Sequence, residues 1–549
     1  MTNRRAVQGG ILLALLMAAF GLVARLQILF GGLARPHATN IFFRLYALYE
    51  SPFLLVIALL AIVTALAMIG RQRAPVTGDS WLDRRSAPNT IAVMLLAATV
   101  FVVTVLVTHF VLHDYAFSMD EFSADFQARL FARGTYEAAL PSFWRPFAFG
   151  LTPVFIDFST ASGTWHSVYL PVYSLMKAPF IALGQPTLLN PLSAGLSIVA
   201  IAFVARRLWP NERLRPWLAI ALLATSSEFI VTSGSAYSMP AHLLLNLVWL
   251  WLYLRGDDRS WLAALVVGGL ALGLHNPFPH ALFVAPFLVR VLRDRRWKRV
   301  ASAAVVYGIA SVLWFFWLRL AYSPAAGGGL LSVFGTPTLQ VLWLHAINVS
   351  LLFTWQAPIF GLLVVVALLQ PRKLETPLID LAWGVLLTLA FYMFFPSTQG
   401  HGWGYRYAYQ VLGSLALLAA AGAGPLREAL GRRRADLLLA ASLVVTVVLL
   451  LPLRLTDTER FVRPFAAGAE FLRTRPADVL IVHGDSIWYG RDLVRNDPFL
   501  QGQPVIVQAS VLTPLGRVLL ERQYPGRVME VKDSELLRLG MTLWASHQF

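Results

Sequence analysis

The sequence contains no cysteine. Disulfides, thiolate metal sites and cysteine nucleophiles are therefore excluded, whatever compartment its loops occupy. Charge is also scarce. Only 13% of the 549 residues are Asp, Glu, Lys or Arg, and 29 acidic residues stand against 45 basic ones. Internal repeats, heptads and low-complexity tracts are missing as well. What the chain has instead is apolar: 57% hydrophobic residues, gathered into blocks of about 20, the length that spans a hydrocarbon core. This composition excludes a soluble fold.

The blocks lie near residues 9–30, 51–70, 91–112, 188–205, 217–231, 240–254, 261–274, 279–292, 300–320, 341–369, 377–395, 407–423 and 437–451. They predict a polytopic helical membrane protein of about thirteen spans. The net charge of +16 would suggest nucleic acid in a soluble chain, but here its placement explains it. Arg4/Arg5, Arg71 to Arg85, Arg206 to Arg215, Arg255/Arg259, Arg290 to Arg299, Arg372/Lys373 and Arg427 to Arg434 fall in alternate loops. By the positive-inside rule these loops are cytoplasmic, and no nucleic-acid partner is expected. The N-terminus is then inside, while the loop 113–165 and the tail after Pro452 are outside. Arg4 and Arg5 precede an apolar run without a small-residue cleavage site, so residues 1–30 are expected to stay as an anchor. Arg25, near the outer end of that span, can snorkel to the interface.

The tail differs in composition. Short β-branched runs at 479–482, 504–507 and 527–531 predict strands, and 465–473 and 534–539 carry helical patterning, giving a small α/β domain outside the membrane. Three parts result: residues 1–90 with two N-terminal spans, 91–452 with the core and its outer loop 113–165, and 453–549. The glycine run at 327–329 marks 325–330 as the mobile segment.

The outer loop after the third span opens with Asp114 and then Ser118-Met119-Asp120-Glu121, followed by Phe122, Phe126 and Leu130 at helical spacing. Two adjacent carboxylates would thus begin a helix lying in the interface plane with its apolar stripe toward the lipid. Ser118 with Glu121 also fits a capping box, which accounts for Glu121 better than for Asp120.

Here the residues resemble a family, the GT-C superfamily of membrane glycosyltransferases, which includes protein O-mannosyltransferases and the lipid A aminoarabinose transferase. Residues 119–134, MDEFSADFQARLFARG, look like its Asp-Glu motif. Residues 165–171, WHSVYLP, are similar to its aromatic-Tyr-Pro segment, and residues 402–407, GWGYRY, to an outer Gly-aromatic-Gly-x-Arg-Tyr element. The resemblance covers about residues 91–451. It implies a GT-C type bundle that uses a polyprenyl-phosphate sugar as donor and an envelope glycan, lipid or protein as acceptor, on the outer face of a bacterial inner membrane. The chain departs from it at Tyr169-Leu170-Pro171-Val172, where Tyr-Pro-Pro-Gly is common, and at Ser227-Glu228, where Ser-Pro is common. Glu228 reads as a boundary residue near the outer end of its span.

Transfer from a sugar phosphate needs a base for the acceptor hydroxyl and cations for the departing phosphate. Asp120 is assigned as the base, which is also the role that the resemblance gives it, and Glu121 would position the acceptor. Arg406, the only cation in its loop, is assigned to the phosphate because a guanidinium offers a bidentate fork; lipid-headgroup anchoring is its alternative. His275 and His401 are further phosphate candidates. His166, Trp165, Tyr169, Trp403 and Tyr405 are substrate-contact candidates, with an interfacial aromatic belt as the alternative for the aromatics. His242 reads as a packing residue. His275 and His280 are five apart across two prolines, which is not a zinc-ligand spacing, so no metal site and no cofactor are expected. His483-Gly484-Asp485-Ser486 reads as a strand-ending turn. The competing class is a lipid-linked-sugar flippase or transporter, disfavoured because Arg25, Glu228 and Asp380 lie toward span ends instead of the midplane.

Overall fold

The computed structural model describes residues 88–151, 154–321, 334–395, 399 and 402–543, with scattered positions before residue 60. The first two expected spans lie largely outside the described residues, and the loop 325–330 and His401 lie wholly outside them.

Helix α1 (Thr90–Leu106) starts at Asn89, whose side chain accepts the Ala92 N–H at 2.7 Å, and runs through a π-helical turn toward the acidic motif. Helix α2 (Met119–Ala132) carries that motif. Strands β1 (Ala138–Ala139), β2 (Ile156–Ser159) and β3 (Thr164–Ser167) form an antiparallel sheet in the order β1-β3-β2. Helices α3 (Val172–Ala182), α4 (Leu189–Leu208), α5 (Leu214–Ala224), α6 (Ser227–Gly234), α7 (Met239–Arg255), α8 (Asp258–Leu272), α9 (Phe278–Arg293) and α10 (Trp297–Ala321) follow. Then come α11 (Leu339–Thr354), α12 (Phe360–Leu368), α13 (Thr376–Tyr392), α14 (Leu412–Leu430), α15 (Arg432–Val445) and α16 (Leu451–Arg473).

Among the described residues five helices are long and apolar enough to cross a membrane: Thr90–Val111, Leu189–Leu208, Trp297–Leu320, Arg406–Leu430 and Arg432–Arg473. The bent pair α5 and α6 makes a sixth. The expected count of thirteen is therefore not reached by this measure, and several expected spans differ in form. The block 217–231 is broken by a 49° bend, because the Ser226 side chain leaves the helix above it and caps α6 through the Phe229 N–H at 3.0 Å. The block 341–369 is two helices, α11 and α12, parted at 355–359. The block 437–451 does not stop but continues through a π-helical turn, Thr446–Leu450, into α16. Pro452 lacks an N–H and crowds the preceding carbonyls, and the wider π turn accommodates it.

Helix α14 is buried along nearly its whole length and forms the centre of the bundle. Its small residues let α12 approach closely: a Cβ on Gly422 would lie 2.1 Å from the Leu363 carbonyl oxygen. Partly buried ion pairs join α9 to α13 and α14 to α15, with Arg290 bidentate to Asp380 at 2.5 and 2.7 Å and Arg427 to Asp436 at 2.8 and 2.7 Å.

In the tail, β4 (Val479–Val482), β5 (Val505–Gln508) and β6 (Val528–Val531) stand where the β-branched runs predict strands, and pair in parallel in the order β5-β4-β6. All four residues of β4 are buried, as a central strand covered on both faces must be. The expected helix at 465–473 is the end of α16, and α18 (Asp533–Arg538), which follows α17 (Pro514–Gln523), matches the other. The sheet is not packed by itself: Phe126, Leu130 and Trp165 of the segment 113–165 share one core with Val479, Ile481, Val505 and Val507. This corrects the expectation for α2. Its apolar stripe faces protein, not lipid, because the tail sheet and Trp165 cover it.

Candidate active site

The acidic motif folds as its spacing requires. Ser118 caps α2 and accepts the Glu121 N–H, while a Glu121 oxygen accepts the Ser118 N–H at 2.9 Å. The other Glu121 oxygen accepts the Ala236 N–H from the α6–α7 turn at 2.8 Å. Both oxygens are thus committed, and the side chain is buried. Glu121 pins the start of α2 to the bundle; it is not presented to an acceptor, which corrects the assignment made from sequence.

Asp120, one residue earlier on the helix, points elsewhere. One oxygen accepts from Arg406 Nη1 at 2.8 Å, and the other accepts a short hydrogen bond from the Tyr169 hydroxyl. The sequence separations are 286 and 49 residues, so the bundle alone brings these three together. Arg406 has 9% of its side chain exposed and Asp120 18%, so the pair is shielded but reachable. Burial pushes the Asp120 carboxyl up, yet Arg406, His275 and the two hydrogen bonds outweigh it and hold the group below the usual carboxylate range. The rings of His275 and Tyr169 lie against each other with centroids 3.8 Å apart. Burial takes the His275 imidazole down to about 4 although Asp120 pulls it upward, so at neutral pH it is an uncharged hydrogen-bonding group and adds no cation.

Arg406 is held by groups that sequence reasoning passed over. Its guanidinium lies 4.8 Å from the centre of the Tyr237 ring and 5.4 Å from that of Tyr407. Its Nε is buried and has no partner, so one donor of the fork is uncommitted. Beneath it, Glu228 is completely buried, accepts from Gln356 Nε2 at 3.0 Å with one oxygen and has no hydrogen-bond partner for the other, Oε1. It is a clasp under the 402–406 turn and not a boundary residue. Gly404 has φ +77°, and a Cβ there would meet the Glu228 carboxyl at 2.4 Å, so the turn needs glycine on both counts. Gln356 lies in the helix break at 355–359 and is buried.

The remaining aromatics are supports. Trp165 is fully buried, donates its indole N–H to the Pro498 carbonyl at 2.8 Å and packs edge-on against Phe126. Trp403 packs edge-on against Phe461, and the buried Tyr405 hydroxyl meets His345 Nδ1 at 3.3 Å. His166 is buried in β3 beside the Tyr136 ring. Stacking on a sugar requires an open face, which these residues lack, so of the aromatic candidates only Tyr169 stands at the carboxylate. Phe155, missed from sequence, is 38% exposed with its ring 5.2 Å from that of Tyr169. His242 is buried with neither ring nitrogen paired, so it is not the satisfied packing residue expected. Among the described residues no three His, Asp or Glu side chains are grouped as metal ligands.

The loop 113–165 thus closes its Asp120 carboxylate on Arg406 of the helical bundle, and the fold that does so is shared with a solved structure. ArnT from Cupriavidus metallidurans bound to undecaprenyl phosphate is similar in structure, with a TM-score of 0.51 and 14% identity over 82% of this chain and 91% of ArnT. Its apo state aligns over the same shares with a TM-score of 0.50 and 13% identity. The arabinosyltransferase EmbB from Mycobacterium smegmatis covers 87% of this chain and 42% of its own at 14% identity, with a TM-score of 0.35, too low to define a shared fold. No protein-family model and no curated protein matches the sequence.

Proposed function

We propose that this protein is a glycosyltransferase of the membrane's outer face, moving a sugar from a polyprenyl-phosphate donor to a hydroxyl of an envelope glycan, lipid or protein. The observation that carries the reading is the Asp120 carboxylate clasped between Arg406 and Tyr169, in a fold shared with a protein solved with undecaprenyl phosphate.

The acceptor oxygen attacks the anomeric carbon, the bond from that carbon to the phosphate oxygen breaks, and the acceptor proton passes to Asp120. Polyprenyl phosphate leaves with the bonding electron pair, and the anomeric configuration inverts. Arg406 serves the leaving group, because a guanidinium fork matches phosphate oxygens and its Nε is uncommitted. As it stands, the ion pair makes Asp120 a weak base. A phosphate that draws Arg406 away removes the charge that depresses the carboxyl, so donor binding arms the base. His275 offers the phosphate a neutral hydrogen bond.

The test is to incubate the purified protein with radiolabelled polyprenyl-phosphate sugars and envelope lipid fractions, and to compare Asp120→Asn. The variant keeps the shape but cannot accept a proton, so its turnover is expected to fall by about 10² to 10⁴. Equal transfer by the variant would remove Asp120 from the chemistry. Transport of the labelled lipid without transfer would make the protein a flippase.

A further inference from the structure

Asp120 and its partner Tyr169 are both tied, three to four residues back along the chain, to a single loop of the tail. Residues 115–117 lead into the Ser118 cap of α2. Arg495 donates Nη1 and Nη2 to the carbonyls of Ala116 and Phe117, the latter at 2.9 Å, and Nε to the Asp492 carbonyl at 2.7 Å. Its guanidinium also lies 4.0 Å from the centre of the Tyr115 ring and 5.5 Å from that of Phe122. Phe117 is inserted into the tail core, edge-on against Phe461, Phe465 and Tyr489. On the other side, Pro498 of the same loop accepts the indole N–H of Trp165, four residues before Tyr169. Asn496 between them accepts the Ile506 N–H at 2.9 Å and donates to the carbonyls of Leu151 and Ile506.

We infer that the loop 489–498 sets the geometry of the Asp120–Tyr169 pair, with Arg495 as a positioning residue that fixes the entry of the catalytic helix. The inference rests on the assignment of Asp120 as base. Two directed donors of one planar group, the third being tied to the Asp492 carbonyl of its own loop, fix the direction of the backbone at 116–117, which a single-point cation cannot do. Two nonbonded hinges, Arg495 to residues 116–117 and Pro498 to Trp165, therefore join the tail to the two strands of chain that carry the site. The tail is part of the catalytic apparatus, although no tail side chain needs to touch substrate.

Arg495→Ala, Arg495→Lys and a docking control, Arg133→Ala, separate this from mere domain attachment. Arg133 sits at the far end of α2, bonded to Gln501 at 2.7 Å and stacked 3.9 Å over Phe499, so it joins the same two bodies away from the base. The readouts, on the full chain in detergent, are amide hydrogen exchange at 116–122 and transfer kinetics with a polyprenyl-phosphate sugar, with Asp120→Asn as the blank. Arg495→Ala is expected to speed exchange at 116–122 by ~10-fold or more. It is also expected to lower kcat ~10- to 100-fold with KM nearly unchanged, the cost of misplacing a base by about 1 Å. Arg495→Lys recovers part of both, and Arg133→Ala leaves both near wild type. Wild-type exchange and kcat in folded Arg495→Ala overturn the inference, and so does an equal loss in Arg133→Ala. Full transfer by Asp120→Asn instead sinks the base assignment, which the exchange measurement reads separately from the positioning.

Discussion

If a phosphate drawing Arg406 away arms Asp120, the acid limb of the rate must lie at different pH for the free enzyme and for the donor complex. In the free protein the carboxyl is held below 3.8, its ordinary value, because Arg406, His275 and two hydrogen bonds outweigh burial. An adjacent guanidinium lowers a carboxyl by about 1 to 3 units, so its loss to the donor phosphate should raise the group by about that amount. The acid limb of kcat/KM, which reports the free enzyme, is expected below that of kcat by about 1 to 3 units. Arg406→Met should move the free-enzyme limb upward toward the other, since only His275 and the Tyr169 hydrogen bond then oppose burial. Stability follows the same sign. A depressed carboxyl stabilises the fold above its unfolded pKa, and this contribution is lost as pH falls through the lower folded value; Arg406→Met removes that loss. The assay is a transfer profile from acid to neutral pH with saturating and limiting donor, beside thermal unfolding at each pH. Coincident limbs in wild type, or an unmoved limb in Arg406→Met, refute the reasoning.

Glu121→Ala should cost about 2 to 4 kcal/mol of stability, from the part-buried N–H groups of Ser118 and Ala236 left without an acceptor, while kcat of the folded fraction stays near wild type; unfolding and turnover at low temperature check this. Gly422→Ala forces a Cβ into the Leu363 carbonyl and should lower stability by about 1 to 3 kcal/mol by parting α12 from α14, visible as a fall in Tm. Asp492, half-buried in the positioning loop, has its carboxyl pushed up to about 7 by burial, with Arg495 opposing and Asp120 adding to the rise. Its ionisation is therefore penalised in the fold as pH rises from about 4 through 7, so Asp492→Asn should stabilise at pH 8 and be neutral at pH 4. Equal Tm changes at both pH values would remove that penalty.

Much of this site is legible in single segments. Ser118, Asp120 and Glu121 declare both a helix start and a carboxylate pair, and the capping alternative for Glu121 turns out to describe its contacts. Arg406 stands out as the lone cation of its loop. The errors have a common cause. Trp165, Trp403 and Tyr405 read as open aromatic faces because a sequence does not reveal which side of a ring is covered. Glu228 read as a boundary residue because its neighbours, Gln356 and the turn at Gly404, come from distant elements.

The sequence by itself determined the solvent of this chain, the apolar blocks, the strands of the tail and the residue types able to move a proton and hold a phosphate, since each depends on composition or short-range periodicity. Only the tertiary structure decided that Asp120 meets Arg406 and Tyr169, that Glu121 turns inward, and that the tail reaches around to the helix that carries Asp120. Those facts depend on the packing of segments up to hundreds of residues apart, where burial and ion pairing select one arrangement that no local pattern encodes.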